Sequence, residues 1–241
     1  MSKTKIEWCD YTINPIKGLC PVDCKDNQGK SYCYARAMYK RSNWNSEIRF
    51  DKEVPIYGFP TGSKVFIGST IELFGDWVKE DWLKTIFANV RQSPDVTFLF
   101  LTKQPQNLIN WSPFPDNCWV GVSVTTKAQL RPAIWKLSDI QCNKRFLSLE
   151  PLLENVLDQI LPAEWDDAIN WVIVGQQTPS AKATLPKIGW VQEIVEACDK
   201  AGIPVFLKNN LRELLCHGAT PWAWQDNSGV LRQEFPDITK R

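Results

Sequence analysis

Val96-Thr-Phe-Leu-Phe-Leu-Thr-Lys103 is the stretch that decides how this chain folds. Phe98 to Leu101 are apolar without a break, so a strand built on them has no solvent face and must be covered on both sides. The run then turns polar at Thr102, Lys103 and Gln104. The same pattern recurs in Ser63-Lys-Val-Phe-Ile-Gly-Ser69, Trp119-Val-Gly-Val-Ser-Val124, Arg145-Phe-Leu-Ser-Leu149, Asn170-Trp-Val-Ile-Val174 and Ile203-Pro-Val-Phe-Leu-Lys208. Helical patterns separate most of these strands. From Asp76 to Arg91, the residues Trp77, Val78, Trp82, Leu83, Ile86, Phe87 and Val90 follow a helical period; shorter patterns predict helices near Gln104 to Asn110, Lys127 to Leu137 and Trp190 to Ala201. With Tyr11 to Lys17 as a first strand, about seven strands alternate with helices, the signature of β/α units on a parallel sheet. No glycine-rich dinucleotide fingerprint follows any strand. The expected α/β fold is therefore a full or partial (β/α) TIM-type barrel rather than an open doubly wound sheet. One domain over 1–241 is expected, with a cap or arm from about 211 to 241.

Composition narrows the function. At 241 residues and 44% hydrophobic content, the chain can bury one sizeable core. Its 28 basic and 27 acidic residues leave a formal charge of +1, so the net balance does not call for a polyanionic partner. No stretch approaches the roughly 18 apolar residues of a membrane span, and Met1 to Trp8 has no apolar signal core, so a cytoplasmic protein without a membrane partner is expected. In that reducing compartment the eight cysteines point to metal binding or catalysis before disulfides. Cys9, Cys118, Cys142 and Cys198 sit singly among apolar neighbours and read as core residues. Cys216 beside His217 offers two adjacent ligands, which alone make no site.

Cys20, Cys24 and Cys33 lie together in the irregular, glycine-flanked segment from Gly18 to Arg36, directly after the first strand and before a short helix from Tyr34 to Arg41. A structural zinc site or an iron-sulfur cluster usually takes four protein ligands, so three thiols leave one coordination position open.

In a β/α barrel the active site is built at the C-terminal ends of the strands. Those ends offer Ser69, Thr70 and Glu72; Thr102, Lys103 and Gln104; Ser123, Thr125 and Thr126; Glu150; Gln176 and Gln177; and Lys208, Asn209 and Asn210. All would face one mouth together with the cysteine loop. Each has a plainer reading: serine and threonine after a strand cap helices, Lys103 suits a solvated loop, and Glu150 before Pro151 ends a strand. Their convergence with three cysteines is what points to a site.

The cysteine loop resembles the cluster-binding loop of the radical S-adenosylmethionine enzymes, whose usual form is Cys-x3-Cys-x2-Cys. The first spacing fits; eight residues rather than two separate Cys24 from Cys33, and the surplus Lys25 to Lys30 is polar and turn-forming, able to bulge outward while Tyr32-Cys33 returns. More narrowly, Asn14-Pro-Ile-Lys-Gly18, Cys33-Tyr-Ala-Arg36, Gly68-Ser-Thr-Ile-Glu-Leu-Phe74, Phe100-Leu-Thr-Lys-Gln-Pro105 and Trp119-Val-Gly-Val-Ser123 resemble the phage-associated Gp37/Gp68 proteins, the three-Cys-motif or DUF5131 family, from about Glu7 to Asn210. The strand ends are also similar to those of spore photoproduct lyase, a radical enzyme that repairs a thymine lesion in DNA. Ser69, Lys103 and Ser123 match its residues around S-adenosylmethionine, and Tyr32 and Tyr34 match the tyrosines flanking its last cluster cysteine. Its hydrogen-donating cysteine has no counterpart, because this chain carries Gly68.

The resemblance implies a 4Fe-4S cluster on Cys20, Cys24 and Cys33, with S-adenosylmethionine on the open iron and a 5'-deoxyadenosyl radical as the hydrogen-abstracting species. It implies Tyr32, Ser69, Thr70, Lys103 and Ser123 around the cofactor, with Lys103 pairing with its carboxylate and Tyr34 as a hydrogen relay. Glu72, Glu150, Gln176 and Lys208 are further candidates for cofactor or substrate contact. An isomerase or lyase acting on an amino-acid-decorated thymine in phage DNA is the expected activity, with a reductase or flavodoxin-type electron donor, in the cytoplasm of the host cell if phage-encoded. Such a base would have to leave the duplex to react. The twelve tryptophans offer stacking surfaces, although Trp77, Trp82 and Trp171 lie on core-like segments. A free nucleotide or small metabolite is the alternative substrate, and a zinc-stabilised nucleic-acid-binding module with Cys9 as fourth ligand the rival from another class.

Overall fold

A computed structural model of the chain describes residues 3–157, 168–179, 184–216, 225 and 230–237. Nine strands and five helices are described: β1 Tyr11–Ile13, β2 Ile16–Lys17, α1 Tyr34–Ser42, β3 Arg49–Phe50, β4 Lys64–Ile67, α2 Glu80–Arg91, β5 Thr97–Thr102, β6 Cys118–Ser123, α3 Lys127–Ser138, β7 Lys144–Leu149, β8 Trp171–Val174, α4 Ile188–Ala201, β9 Val205–Leu207 and α5 Arg212–Cys216. The strand order is β1-β4-β5-β6-β7-β8-β9, which follows the chain without reversal. The β1/β4, β4/β5, β7/β8 and β8/β9 pairs are parallel. This is the mixed α/β class expected. A strand order without a switch point is compatible with a partial β/α barrel and not with a doubly wound sheet.

The chain divides into two compact units, 1–121 with 140–143 and 122–139 with 144–241. In the first, β5 is buried on both faces, as its sequence requires: Phe98, Leu99 and Phe100 are fully buried. Helix α2 covers it with the stripe Leu83, Ile86, Phe87 and Val90, and the Phe87 and Phe100 ring centroids lie 5.3 Å apart. Burying each such side chain stabilises the unit by about 1.5–3 kcal/mol. The helix begins at Glu80 rather than Asp76. Asn107 Nδ2 holds Phe74 O at 2.7 Å and Asp76 Oδ1 at 3.0 Å, and Val78 N–H closes a turn on Gly75 O, so residues 76–79 cannot wind into the helix. The expected helix at Gln104 to Asn110 is a 3-10 segment, Pro105–Trp111.

The predicted first strand is two strands. β1 pairs with β4, and after Asn14-Pro15 the chain turns so that β2 pairs antiparallel with β3. Proline has no N–H to continue the ladder, while Pro15 O accepts from Asp51 N at 2.7 Å in the new direction.

In the second unit α3 starts at a capping box in which Thr126 and Gln129 exchange side-chain and backbone bonds. It buries Leu130, Ala133, Ile134 and Leu137. Helix α4 buries Val191, Ile194, Val195 and Cys198 and stops at Gly202, whose φ of 65° is left-handed. All of β8 is buried. The described part of the expected arm, residues 230–237, runs along β9: Leu207 N donates to Arg232 O at 2.7 Å and Glu234 N to Val205 O at 3.1 Å. Trp171 Nε1 donates to Glu234 O at 2.8 Å. The arm thus covers an otherwise open strand edge. No helix among the described residues is long and apolar enough to cross a membrane.

Candidate functional site

The cysteine loop leaves β2 at Gly18, whose φ is 127°. A Cβ there would lie 2.6 Å from Glu47 O and Ile48 Cα, so only glycine fits. Gly18 N donates to the hydroxyl of buried Tyr39 on α1 at 2.8 Å. Arg36, also on α1, reaches back to Cys20 O at 2.8 Å and Val22 O at 3.4 Å. The first part of the loop, residues 18–22, is therefore strapped to α1.

The long gap between Cys24 and Cys33 closes on itself. Lys25 and Ser31 form an antiparallel bridge, and Tyr32 N donates to Cys24 O at 3.1 Å. Asp26, only 8% exposed, makes the turn by accepting from Gln28 N and Lys30 N on one carboxylate oxygen, each at 2.9 Å. The surplus residues bulge out as a small hairpin, and Cys33 returns beside Cys24. Cys33 is the N-cap of α1, its Sγ accepting from Arg36 N at 3.5 Å.

The thiols and their surroundings act on one another. A hydrogen bond from Cys24, with help from the Arg36 and Ala35 N–H groups and the Lys103 charge, pulls Cys33 down to about 5. That bond, together with burial, pushes Cys24 well up. Burial raises Cys20 too, partly offset by the Glu72 N–H at 3.4 Å from its Sγ. The Lys103 charge opposes the rise at Cys24 as well. Among the described residues no group of three or more His, Cys, Asp and Glu side chains is already arranged as a metal site. The surroundings favour the thiolate at Cys33 alone, through the Cys24 hydrogen bond, the helix cap and the Lys103 charge, while burial holds Cys20, and the bond to Cys33 with burial holds Cys24, toward the thiol, so a metal group on all three would have to displace two protons on binding. Cys9 is buried, with its thiol 3.9 Å from Ile6 O.

Beside the cysteines, the end of β4 is held by Asn14, which donates to Ser69 Oγ at 3.1 Å and accepts from Thr70 N at 3.0 Å. Tyr34 donates its hydroxyl to Ser69 O. Glu72, only 7% exposed, accepts from Phe74 N at 3.0 Å, Thr102 Oγ1 at 2.6 Å and Lys103 N at 2.7 Å. It clamps β4 to β5 and fixes where Lys103 leaves the sheet. Gly68 has a φ of 85°. A Cβ there would lie 2.5 Å from Cγ of the Leu73 side chain, and the left-handed φ strains any side chain, so a cysteine would fit only at a cost.

In the second unit Ser123 and Thr125 are buried at the end of β6. Glu150, after β7, pairs with Lys208, after β9. Both approach Gly175 closely; a Cβ there would lie 3.0 Å from Lys208 Cδ and 3.2 Å from Glu150 Cδ. Gln176 and Gln177 follow β8, and both are buried. Asn210 fixes the backbone of Gln176 from both sides, accepting from its N–H at 3.3 Å and donating to its carbonyl at 2.9 Å.

The family model described as a protein of unknown function, DUF5131, matches residues 3–213. The chain belongs to the DUF5131 family. No curated protein matches it, and no solved structure does either.

In this DUF5131 chain Cys20, Cys24, Cys33, Tyr32, Tyr34, Ser69, Thr70, Glu72 and Lys103 all lie in the first unit, and Ser123, Glu150, Gln176 and Lys208 in the second. The Glu72 carboxylate accepts three internal donors, two on one oxygen and one on the other. Tyr34 is half-exposed and tied to the carbonyl of Ser69. Of the four cysteines expected in the core, Cys9, Cys118 and Cys198 are buried and Cys142 is only half-buried. His217, Trp222, Trp224 and the side chain of Cys216 lie outside what is described. The sequence does not announce the holding roles of Asn14, Arg36 and Asp26 at the strand end and the loop. Asn14 and Arg36 stood inside the family-like stretches, which was the available signal; Asp26 had only its place in a turn-forming run.

Proposed function

We propose that the protein is a radical S-adenosylmethionine enzyme. The observation that supports the proposal is the hairpin at 25–31, which closes the irregular spacing and returns Cys33 to Cys24, under the influence of the Lys103 charge. Cys20, Cys24 and Cys33 would hold a 4Fe-4S cluster, and Ser69, Thr70, Tyr32 and Lys103 would bind S-adenosylmethionine. A cluster held there would supply the electron for reductive cleavage of S-adenosylmethionine, with methionine as the leaving group, and so the means of taking a hydrogen from the substrate.

The chain's own contribution is to bind and orient. Arg36 and Gly18 hold the loop, Asn14 presents the Ser69 hydroxyl, Glu72 aims Lys103 by its backbone, and the Lys103 ammonium neutralises anionic sulfur or a ligand carboxylate. Tyr34 holds a phenolic hydrogen at the Ser69 carbonyl, the position from which it would serve as a relay. The substrate is proposed to be an amino-acid-decorated thymine of phage DNA, rearranged or cleaved by an isomerase- or lyase-type reaction. The Gly68 backbone argues against dimer repair by a cysteine donor at that position.

Anaerobic reconstitution with iron and sulfide, followed by reduction with S-adenosylmethionine, tests the proposal. A brown protein that forms 5'-deoxyadenosine, and a Cys33→Ala variant that does not, is expected. Colourless protein with stoichiometric zinc would overturn it.

A further inference from the structure

A cavity of about 320 Å³ opens in the first unit between the segment that follows β4, the start of α2 and the 3-10 segment Pro105–Trp111. None of the residues assigned above to the cluster, S-adenosylmethionine or substrate lines it. Its volume, at the low end for ligand sites, suits a small molecule or one side chain. Phe74 and Leu83, both buried, and half-buried Trp111 make an apolar wall. Asp76, Glu80 and Asn107 make a polar one. That wall offers acceptors. Asn107 commits its Nδ2 hydrogens to Phe74 O at 2.7 Å and Asp76 Oδ1 at 3.0 Å, which leaves its own Oδ1 to accept. Asp76 is exposed and keeps its second carboxylate oxygen. Glu80 pairs with Lys84 at 2.6 Å, but both side chains are more than half exposed, and such a pair contributes little and exchanges readily. No basic side chain among the described residues lines the cavity, and Lys79 is held over the Trp82 ring, 5.4 Å from its centroid. The partial positive charge at the start of α2 is outweighed by Glu80 and Asp81 in its first turn.

We infer that this cavity binds an alkylguanidinium group. A guanidinium is planar, weakly hydrated and a donor only, so it can lie against Trp111 while its N–H fork meets the Asp76 carboxylate and the Asn107 carbonyl. An ammonium carries the same charge without the plane or the fork, and water holds it more strongly. A neutral amide of the same shape lacks the charge that two carboxylates select. The group binds whether or not a cluster occupies the cysteine loop, and it can come from a free small molecule or from an arginine side chain of a peptide.

Calorimetry on the full chain, without cluster or S-adenosylmethionine, tests this with n-butylguanidinium, n-butylammonium, n-butylurea and N-acetyl-L-arginine amide. n-Butylguanidinium is expected to bind with a Kd of about 1 mM or below, and its neutral isostere n-butylurea about tenfold more weakly, with n-butylammonium between them. Its affinity should fall as salt is raised. Asp76→Asn keeps an oxygen for Asn107 and should lower the affinity about fivefold while the thermal midpoint holds; Glu80→Gln, on the exposed first turn, should lower it about twofold. n-Butylurea binding as well as n-butylguanidinium would overturn the inference, as would no binding at about 10 mM. Tighter binding of n-butylammonium would overturn it in favour of a simple amine. An affinity that both variants leave unchanged would place the cation elsewhere and overturn the site. N-acetyl-L-arginine amide binding within about threefold of n-butylguanidinium supports the cavity as a seat for an arginine side chain, and n-butylguanidinium binding alone supports it as a site for a free cation. The ligand series on wild-type protein needs no variant to fold.

Discussion

Replacing Asp26 with alanine would open the hairpin that returns Cys33 to Cys24. The Asp26 carboxylate accepts two backbone N–H groups, from Gln28 and Lys30, each at 2.9 Å. A charge-assisted bond of this kind contributes about 1.5–3 kcal/mol. Water can replace part of that here, because Gln28 and Lys30 are themselves exposed. Backbone bonds from Asp26 N to Lys30 O and from Gly29 N to Asp26 O remain, each at 2.9 Å. A loss of about 2–3 kcal/mol in the closed hairpin follows, which lowers its weight over the open loop by roughly 30- to 150-fold. The assay is the rate of Cys24–Cys33 disulfide formation under a mild oxidant in a background lacking the other thiols, read by mass spectrometry of the linked peptides, with iron uptake on reconstitution measured in parallel. Both should fall by at least tenfold. Asp26→Asn keeps a carbonyl oxygen for the same donors and should lie between the two. An alanine variant that oxidises within about threefold of wild type would refute the reasoning, because the hairpin would then not be what brings the sulfurs together.

Gly68→Cys should destabilise the fold by about 2–4 kcal/mol in urea denaturation, combining the cost of a positive φ with overpacking against buried Leu73; a change under about 0.5 kcal/mol would contradict the close approach. Glu72→Gln should cost about 2–3 kcal/mol, since an amide in place of the carboxylate turns a donor toward one of the three donors it now receives; an unchanged midpoint would show that water satisfies them instead. In metal-free protein, alkylation of Cys33 should persist down toward pH 5, because its thiolate is favoured in the fold. The stability this lends is present above the ordinary thiol range and is lost as the pH falls through about 5. Cys24→Ala removes the principal hydrogen bond and should move the alkylation profile to higher pH; an unmoved profile would assign the shift to the helix cap and Lys103 instead.

The parallel α/β architecture was legible because β5 and β8 carry unbroken apolar runs, and a strand without a polar face has to lie between layers. The helical periods of α3 and α4 were legible for the same reason, within two residues at their starts. The beginning of α2 was not, since it depends on Asn107, remote in sequence, holding Phe74 and Asp76. The break at Asn14-Pro15 was visible only as a proline; its effect depends on β3 offering an antiparallel partner. In the site, cysteine, lysine and serine announced themselves by residue type and position at strand ends. The inward turn of Glu72 and the burial of Gln176 and Gln177 did not, because a polar residue after a strand reads the same whether it faces solvent, a ligand or its own backbone.

Local chemistry therefore settled which segments become strands, where the polar ends fall and that three thiols share one loop: each follows from side-chain polarity, period and the donors a residue carries. Tertiary structure settled whether those thiols meet and what surrounds them. The Cys24–Cys33 gap is closed locally by Asp26 and the Lys25–Ser31 bridge, whereas the Glu72 N–H at the Cys20 sulfur, 52 residues away along the chain, exists only once separate segments have packed. Hydrogen bonding and Coulomb forces act through distance in space, and a linear sequence does not carry that distance.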